Sequence, residues 1–212
     1  MARPNHLEQI RKRIDAADAG SVFIPSDFFD IAEAPKVNTC LNRLVESREL
    51  NRLMRGVYAK PRYSVLLHTN VPPDSDNIAK ALARNFGWTI IPCGDTALNM
   101  LGLSTQIPAV WLYVSDGPYK SYHADGVSLH FKHTDNKNEI IEVPYQTALV
   151  IQALKALGKG RVTQKDIRIL SKKISADEKA KMLSECKRIT AWVYECIKQI
   201  CAEDSKKSWL LR

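Results

Sequence analysis

SVFIPSDFFDIAEAPKVNTCLNRLVESRELNRLMRGVYAKPRY, residues 21–63, reads as a short strand, two helices and a two-stranded hairpin. Val22 and Phe23 make a brief apolar strand. Ser26 then suits the start of a helix of about one and a half turns, because a serine side chain satisfies amide groups left open there. Pro35 fits the first position of a second helix, where its missing N–H costs nothing. In that helix Val37, Leu41, Leu44 and Val45 fall on one face. Lys36, Asn38, Thr39, Asn42 and Arg43 fall on the other. After Glu49 the period changes to that of a strand. Leu50, Arg52 and Met54 on one side, and Val57, Tyr58 and Ala59 on the other, flank Arg55-Gly56, a tight turn whose glycine can take positive φ.

A helix, a second helix with a polar outer face and a basic hairpin compose a winged helix-turn-helix, a module that places its second helix in the DNA major groove. Arg43 could pair with guanine O6/N7, and Asn38 or Asn42 with adenine. Lys36 and Thr39 complete the candidate reading face. Arg52, Arg55, Lys60 and Arg62 on the hairpin suit phosphate, which positions a protein without reading sequence. The competing interpretation is a solvated helix face, or a winged helix used for protein contact.

The run LNRLVESRELNRLMRGVYAKPRYS, residues 41–64, resembles the winged-helix domain of AbiE-type (AbiEi) antitoxins of bacterial toxin–antitoxin and abortive-infection systems, with its pattern LxRLVxxxxLxRLxRGVY followed by proline. Residues 78–118 are similar to that family's next block, with Asn99, Leu101, Gly102, Leu103, Ser104, Thr105, Gln106 and Pro108 in place. LVIQALKALGK, residues 149–159, is a looser third match. Cys40 with Asn42 on the reading helix departs from the pattern and leaves the DNA target open. The resemblance implies an antitoxin that represses its own operon by binding inverted repeats in promoter DNA. It also implies a nucleotidyltransferase-like toxin as partner, countered without a stable complex, and no catalytic role or cofactor for this chain.

The 212 residues allow one large or two small domains. The apolar fraction of 45% is too high for disorder. No stretch approaches the roughly 18 apolar residues of a membrane helix, and the first residues lack the apolar core of a secretory signal. Five cysteines without a C-x-x-C pair suggest neither a disulfide framework nor a zinc ribbon, which fits a reducing cytoplasm. The net charge of +8 is uneven: residues 1–63 hold 11 Lys+Arg against 8 Asp+Glu, residues 64–154 hold 5 against 8, and residues 155–212 hold 15 against 7. Basic ends around an acidic middle suit a polyanion at one or both ends, though they also serve solubility.

The expected fold is α+β: a winged helix-turn-helix over residues 1–63, then a second domain over 64–212. Within the second, 64–144 reads as mixed α+β, 145–204 as helical and 205–212 as a basic tail. Residues 5–19 form an opening helix with Leu7, Ile10 and Ile14 inward and Arg11, Lys12 and Arg13 outward, either toward phosphate or solvent. Residues 64–75 run from an apolar strand-like stretch into Pro-Pro, marking a linkage near 61–76. Asp74 and Asp76 suit a helix cap better than a metal. A helix over 77–88 buries Ile78, Ala81, Leu82 and Phe86. Strands follow at 89–91, 110–114, a hairpin turning at Asp125-Gly126, and 139–143. Asp95 or Thr96 caps a helix over 97–101. Thr163 to Asp166 and Ser175 to Glu178 read as capping boxes for two helices near 164–173 and 176–184, and a last helix spans about 187–202.

No catalytic constellation stands out. A metal nuclease would need a carboxylate on one strand and a carboxylate-x-lysine on the next; Asp116 with His130-Phe131-Lys132 comes nearest, with histidine in the carboxylate's place. His130 and His133, three apart on a strand, point to opposite faces and do not share a metal with His123 or Cys93. The segment Leu103-Ser104-Thr105-Gln106 reads as a connection whose hydroxyls satisfy local backbone, or as a binding loop. Against the antitoxin stand three rivals: a stand-alone regulator whose later domain senses a ligand or protein, a DNA-cleaving enzyme, and a winged helix used only for protein contact. Operator, toxin and oligomeric state stay open.

Overall fold

A computed structural model of the chain describes residues 5–124 and 126–209, in two compact units. One is Met1–Gly87 with His123–Val127, the other Trp88–Tyr122 with Ser128–Arg212. The architecture is mixed α+β.

The first unit opens with α1, His6–Ala16, capped by Asn5, whose side chain accepts from the Glu8 N–H at 3.2 Å. It ends three residues before the expected position, and Gly20, at φ 86°, lies in the turn beyond. After β1, Val22–Phe23, the chain makes a single 3-10 turn, Pro25–Phe28, in place of the helix expected to be capped by Ser26. The Asp27 carboxylate accepts from the Ile24 N–H at 2.9 Å, so the capping oxygen comes from inside the turn and Ser26 stays exposed. α2, Ala34–Glu46, has Pro35 as its second residue and buries Val37, Cys40, Leu41 and Leu44. Its last turn closes with the amides of Glu49 and Leu50 on the Leu44 carbonyl and Arg48 at φ 62°. β2, Asn51–Met54, and β3, Val57–Ala59, join through Arg55-Gly56, with Gly56 at φ 75°. Arg52 faces Tyr58 and Met54 faces Val57, so Leu53 bulges out of register. The sheet order is β1-β3-β2. Ile10, Ile14, Phe23, Phe28, Val37, Leu41, Leu44, Leu50 and Tyr58 pack as one core.

Two further elements belong to this unit. β4, Arg62–Ser64, pairs antiparallel with β5, Thr69–Val71, making a hairpin where the sequence suggests an extended linkage. α3, Ser75–Phe86, packs against β1 and β3, which carries the unit past residue 63 to Gly87. Asp74 caps α3 by accepting from the Asp76 N–H at 2.8 Å, and Gly87 stops it in the left-handed region. Ile78, Ala81 and Leu82 are buried as the spacing predicts, but Phe86 is exposed, sitting on the last, solvent-side turn.

In the second unit β6, Ile90–Pro92, α4, Gly94–Met100, and β7, Trp111–Ser115, precede a hairpin of β8, Lys120–Ala124, and β9, Val127–His133, whose tip, His123–Val127, is grouped with the first unit. The order is β6-β7-β9-β8, so β7 is central, as its continuous apolar run predicts. β6 and β7 are antiparallel, whereas β7 and β9 are parallel with Leu112 opposite His130. Thr96, expected as a cap, lies buried within α4, and its hydroxyl accepts from the Leu112 N–H at 2.7 Å. Gly126 turns the hairpin at φ 77°, and Asp125 lies outside the described residues. Residues 139–143 are not a strand. A 3-10 turn, Lys137–Glu139, runs into a bend whose inward residues, Ile140 and Val143, are three apart rather than alternating. There the buried Glu139 carboxylate pairs with Lys155.

α5, Tyr145–Leu157, α6, Gln164–Lys173, α7, Ala176–Glu185, and α8, Ala191–Trp209, complete the unit. Both expected capping boxes form: Thr163 and Ser175 accept from the amides of Asp166 and Glu178, whose carboxylates accept back. Leu149, Ile151, Leu154, Ile167, Leu170, Met182, Val193, Ile197 and Ile200 fill the core. α8 continues past residue 202 into the expected tail, of which residues 210–212 lie outside the described residues. Among the described residues no helix is long and apolar enough to cross a membrane.

Candidate nucleic-acid interface

The amphipathic period of α2 settles which side chains it offers outward. Because Val37, Cys40, Leu41 and Leu44 are committed to the core, Lys36, Asn38, Thr39, Asn42 and Arg43 are left exposed. Their freedom differs. Thr39 donates its hydroxyl to the Pro35 carbonyl at 2.9 Å, within its own helix. Lys36 has only a long contact, 3.9 Å, to Glu33. Among the described residues Asn38, Asn42 and Arg43 make no side-chain hydrogen bond or ion pair. Five donors and acceptors on one solvated helix face can pair with base edges or phosphate oxygens.

A groove of about 370 Å³ runs beside this face, lined by Asn5, His6, Leu7, Pro35, Lys36, Thr39, Cys40 and Arg43. His6 was not singled out from the sequence, yet its Nδ1 is buried and unpartnered. Burial pushes the Cys40 thiol above its usual value, so it stays protonated at neutral pH.

The basic residues expected on the hairpins separate into two groups. Arg52 and Arg55 are exposed on β2 and its turn, and among the described residues neither has an ion-pair partner. Lys60 is instead tied down: its Nζ donates to the carbonyls of Asp15 (2.9 Å) and Ala17 (2.8 Å), clamping the end of α1. Arg62 lies against Gly20 and donates to the Pro72 carbonyl at 3.3 Å. The N-terminal basic cluster is also largely consumed. Arg11 bonds the Glu49 carboxylate at 2.7 and 3.2 Å and Glu8 at 2.9 Å. Arg13 grips Asp30 at 2.7 and 2.6 Å and the Asp27 carbonyl at 2.7 Å, which holds the Asp30 carboxyl below its usual range. These pairs fasten α1 to the following turns and, among the described residues, leave Lys12 as the cation of that cluster without a partner.

Arg48 was missed by the sequence pattern. It sits at φ 62° just after α2, and shares a hollow with Asn51 and Arg52. Local charge gave no signal, since Arg48 stands between Glu46 and Glu49, just outside the acid-free run from Leu50 to Pro73.

Unit two carries no comparable surface at the residues weighed for catalysis. Asp116 accepts the Thr89 N–H at 2.8 Å and so closes a strand end. His133 points its two ring nitrogens at the Gly117 carbonyl (2.8 Å) and the Asp135 carboxylate (2.9 Å), which raises its pKa above the usual histidine value. Among the described residues no group of three His, Cys, Asp or Glu could hold a metal ion. Burial raises the Cys93 thiol to about 11. The Leu103–Gln106 loop is closed on itself. Asn99 donates to the Gln106 carbonyl at 2.8 Å, the Gln106 amide to the Ser104 hydroxyl at 3.2 Å, and the amides of Leu103 and Ser104 to the Leu98 carbonyl.

A model of the DUF6088 family, described as a family of unknown function, matches residues 9–183, from α1 through most of α7. The chain belongs to the DUF6088 family. No curated protein matches it. Among solved structures, the RV2827C protein from Mycobacterium tuberculosis is similar at 13% identity over 94% of this chain and 77% of that one, with a TM-score of 0.41, a likeness too loose to carry an inference. The DUF6088 match spans both units and stops short of α8.

Proposed function

We propose that the first unit of this DUF6088 chain is a winged helix that binds duplex DNA. In this reading α2 lies in the major groove and the β2–β3 hairpin along the backbone. The observation that carries it is the division of labour on one small unit. The face of α2 turned away from the core offers Lys36, Asn38, Asn42 and Arg43, while among the described residues Arg52 and Arg55, on β2 and its turn, stay without an ion-pair partner. The order α1, β1, 3-10 turn, α2, β2, β3, with the sheet order β1-β3-β2, supports this reading, with the 3-10 turn standing where the module's middle helix was expected. Asn38, Asn42 and Arg43 read bases, Lys36, Arg52 and Arg55 hold phosphates, and Lys60 serves the fold.

The protein thereby acts as a promoter-binding repressor. The similarity of residues 41–64 and 78–118 to AbiE-type antitoxins supports a further role, neutralising a nucleotidyltransferase-like toxin encoded beside it. Fluorescence anisotropy of the full chain with its own upstream DNA, against scrambled duplex, tests the first part. Specific binding that weakens steeply with salt is expected, and equal, salt-insensitive binding to both would end the reading. Co-expression with the neighbouring reading frame tests the second: rescue of growth is expected, and a harmless neighbour would leave a stand-alone regulator.

A further inference from the structure

Among the described residues of the first unit the β4–β5 hairpin stands out for its exposed apolar tip. Its four-residue tip, Val65 to His68, is closed by the Ser64 hydroxyl accepting from the Leu67 N–H at 3.2 Å, with His68 at φ 50°. The tip holds Val65, Leu66 and Leu67 in water at 77%, 89% and 64% exposure, with Tyr63 at 59% just below. Successive aliphatic side chains on an ordered tip are costly to keep solvated. They add up to a patch on the order of a few hundred Å², the size that marks an interaction site. It falls well short of the ~800 Å² per partner of a stable protein interface. A small wedge fits a small receiving site.

Charge indicates what receives it. The hairpin lies in the acid-free run from Leu50 to Pro73, which also carries Arg52, Arg55, Lys60 and Arg62. Its occupant is therefore anionic outside and apolar within, as a stack of base pairs is. Two residues, Lys60 and Pro61, separate β3 from β4. From Ala59 to Leu66 the backbone spans at most about 25 Å. That is enough to cross half of the ~34 Å helical turn that separates successive major grooves.

Resting on the DNA-binding reading above, we infer that the β4–β5 tip enters the minor groove beside the site of α2 and inserts Leu66 at a base step, an apolar wedge of the kind that partly unstacks DNA. Val65 and Leu67 line the groove wall, and Tyr63 lies against the sugar edge.

The test uses the full chain and upstream duplexes carrying 2-aminopurine at successive positions, with Leu66→Ser, Leu66→Phe and Arg43→Ala. Leu66 is too exposed for these changes to threaten folding, and circular dichroism checks it. The expected result is a rise in 2-aminopurine fluorescence at one step, lost in Leu66→Ser with roughly tenfold weaker binding, and kept in Leu66→Phe and, once saturated, in Arg43→Ala. Tight wild-type binding with no fluorescence change, unaltered by Leu66→Ser, overturns the wedge and leaves DNA binding standing. Leu66-dependent binding to phosphatidylserine vesicles with unchanged DNA affinity assigns the tip to a membrane and overturns it too. Leu66→Ser that halves the sedimenting mass without touching the fluorescence assigns it to a second copy, with the same consequence. If the wild-type chain binds no duplex at all, the DNA-binding reading itself falls.

Discussion

Raising the salt from 50 to 200 mM should weaken specific DNA binding by about 40-fold. The figure comes from counting cations. Six basic side chains lie on the α2 face and the hairpins: Lys36, Arg43, Arg52, Arg55, Lys60 and Arg62. If all six met phosphates, the slope of log K against log salt would be about −5.4, at roughly −0.9 per contact, and the loss would approach 2,000-fold. The structure removes two. The Lys60 ammonium is spent on the carbonyls of Asp15 and Ala17, and Arg62 leans on Gly20 and donates to the Pro72 carbonyl. Arg43 is assigned to a base edge rather than a phosphate, so three remain, giving a slope of about −2.7, which over a fourfold change of salt is the 40-fold loss. Fluorescence anisotropy at five salt concentrations measures it. Arg55→Ala should flatten the slope by about 0.9, whereas Lys60→Met should leave it alone and lower stability by about 1–2 kcal/mol through its two lost hydrogen bonds. A slope flatter than about −1, or one that Lys60→Met changes as much as Arg55→Ala does, would refute the division of these residues into phosphate contacts and clamps.

Other outcomes follow from single sites. Asn42→Ala or Arg43→Ala should each cost about 1–3 kcal/mol against the specific site and much less against random duplex, while Arg55→Ala should weaken both alike; competition titrations separate the two patterns. In Gly117→Ala the new methyl would lie 2.5 Å from the Trp88 indole, which is itself packed on Phe131, so urea denaturation should show a loss of about 1–3 kcal/mol; an unchanged midpoint would mean that the ring is free to move. His133 is raised in the folded state by the Gly117 carbonyl first and Asp135 second. Its contribution is therefore complete below the unfolded value of about 6.5 and fades as pH climbs through the higher folded value. The urea midpoint of wild type relative to His133→Gln should fall between pH 6 and 9, and a constant difference would contradict the doubly bonded imidazolium.

Local chemistry was readable wherever a residue type is tied to one backbone geometry. The Thr163 and Ser175 capping boxes and the Arg55-Gly56 turn sit where the sequence placed them, because each needs only neighbours a few residues away, and the cap of α3 falls on Asp74, just before the Ser75 or Asp76 that the sequence suggests. The alternation of buried Leu129 and Phe131 with His130 and Lys132 was equally plain. The β4–β5 hairpin escaped because its tip has no glycine: His68 supplies the positive φ, and apolar residues on the tip mask the period of a strand. The bend at residues 139–143 was mistaken for a strand because its β-branched residues suit one, while spacing by three was the better clue. For the site, the exposed face of α2 followed from amphipathic period alone. Which cations are free did not: Arg11 and Arg13 find Glu49 and Asp30 across the fold, and Lys60 finds two carbonyls more than forty residues away, a pairing no local pattern contains.

The most direct measurement is guanine methylation interference on the upstream duplex, since N7 methylation blocks the major groove and leaves the minor groove open. The account predicts that methylation of a few guanines within one helical turn abolishes binding of the wild-type chain, and that Arg43→Ala removes the effect of at least one of them. Full-strength binding to uniformly N7-methylated DNA, with Arg43→Ala indistinguishable from wild type, would contradict it.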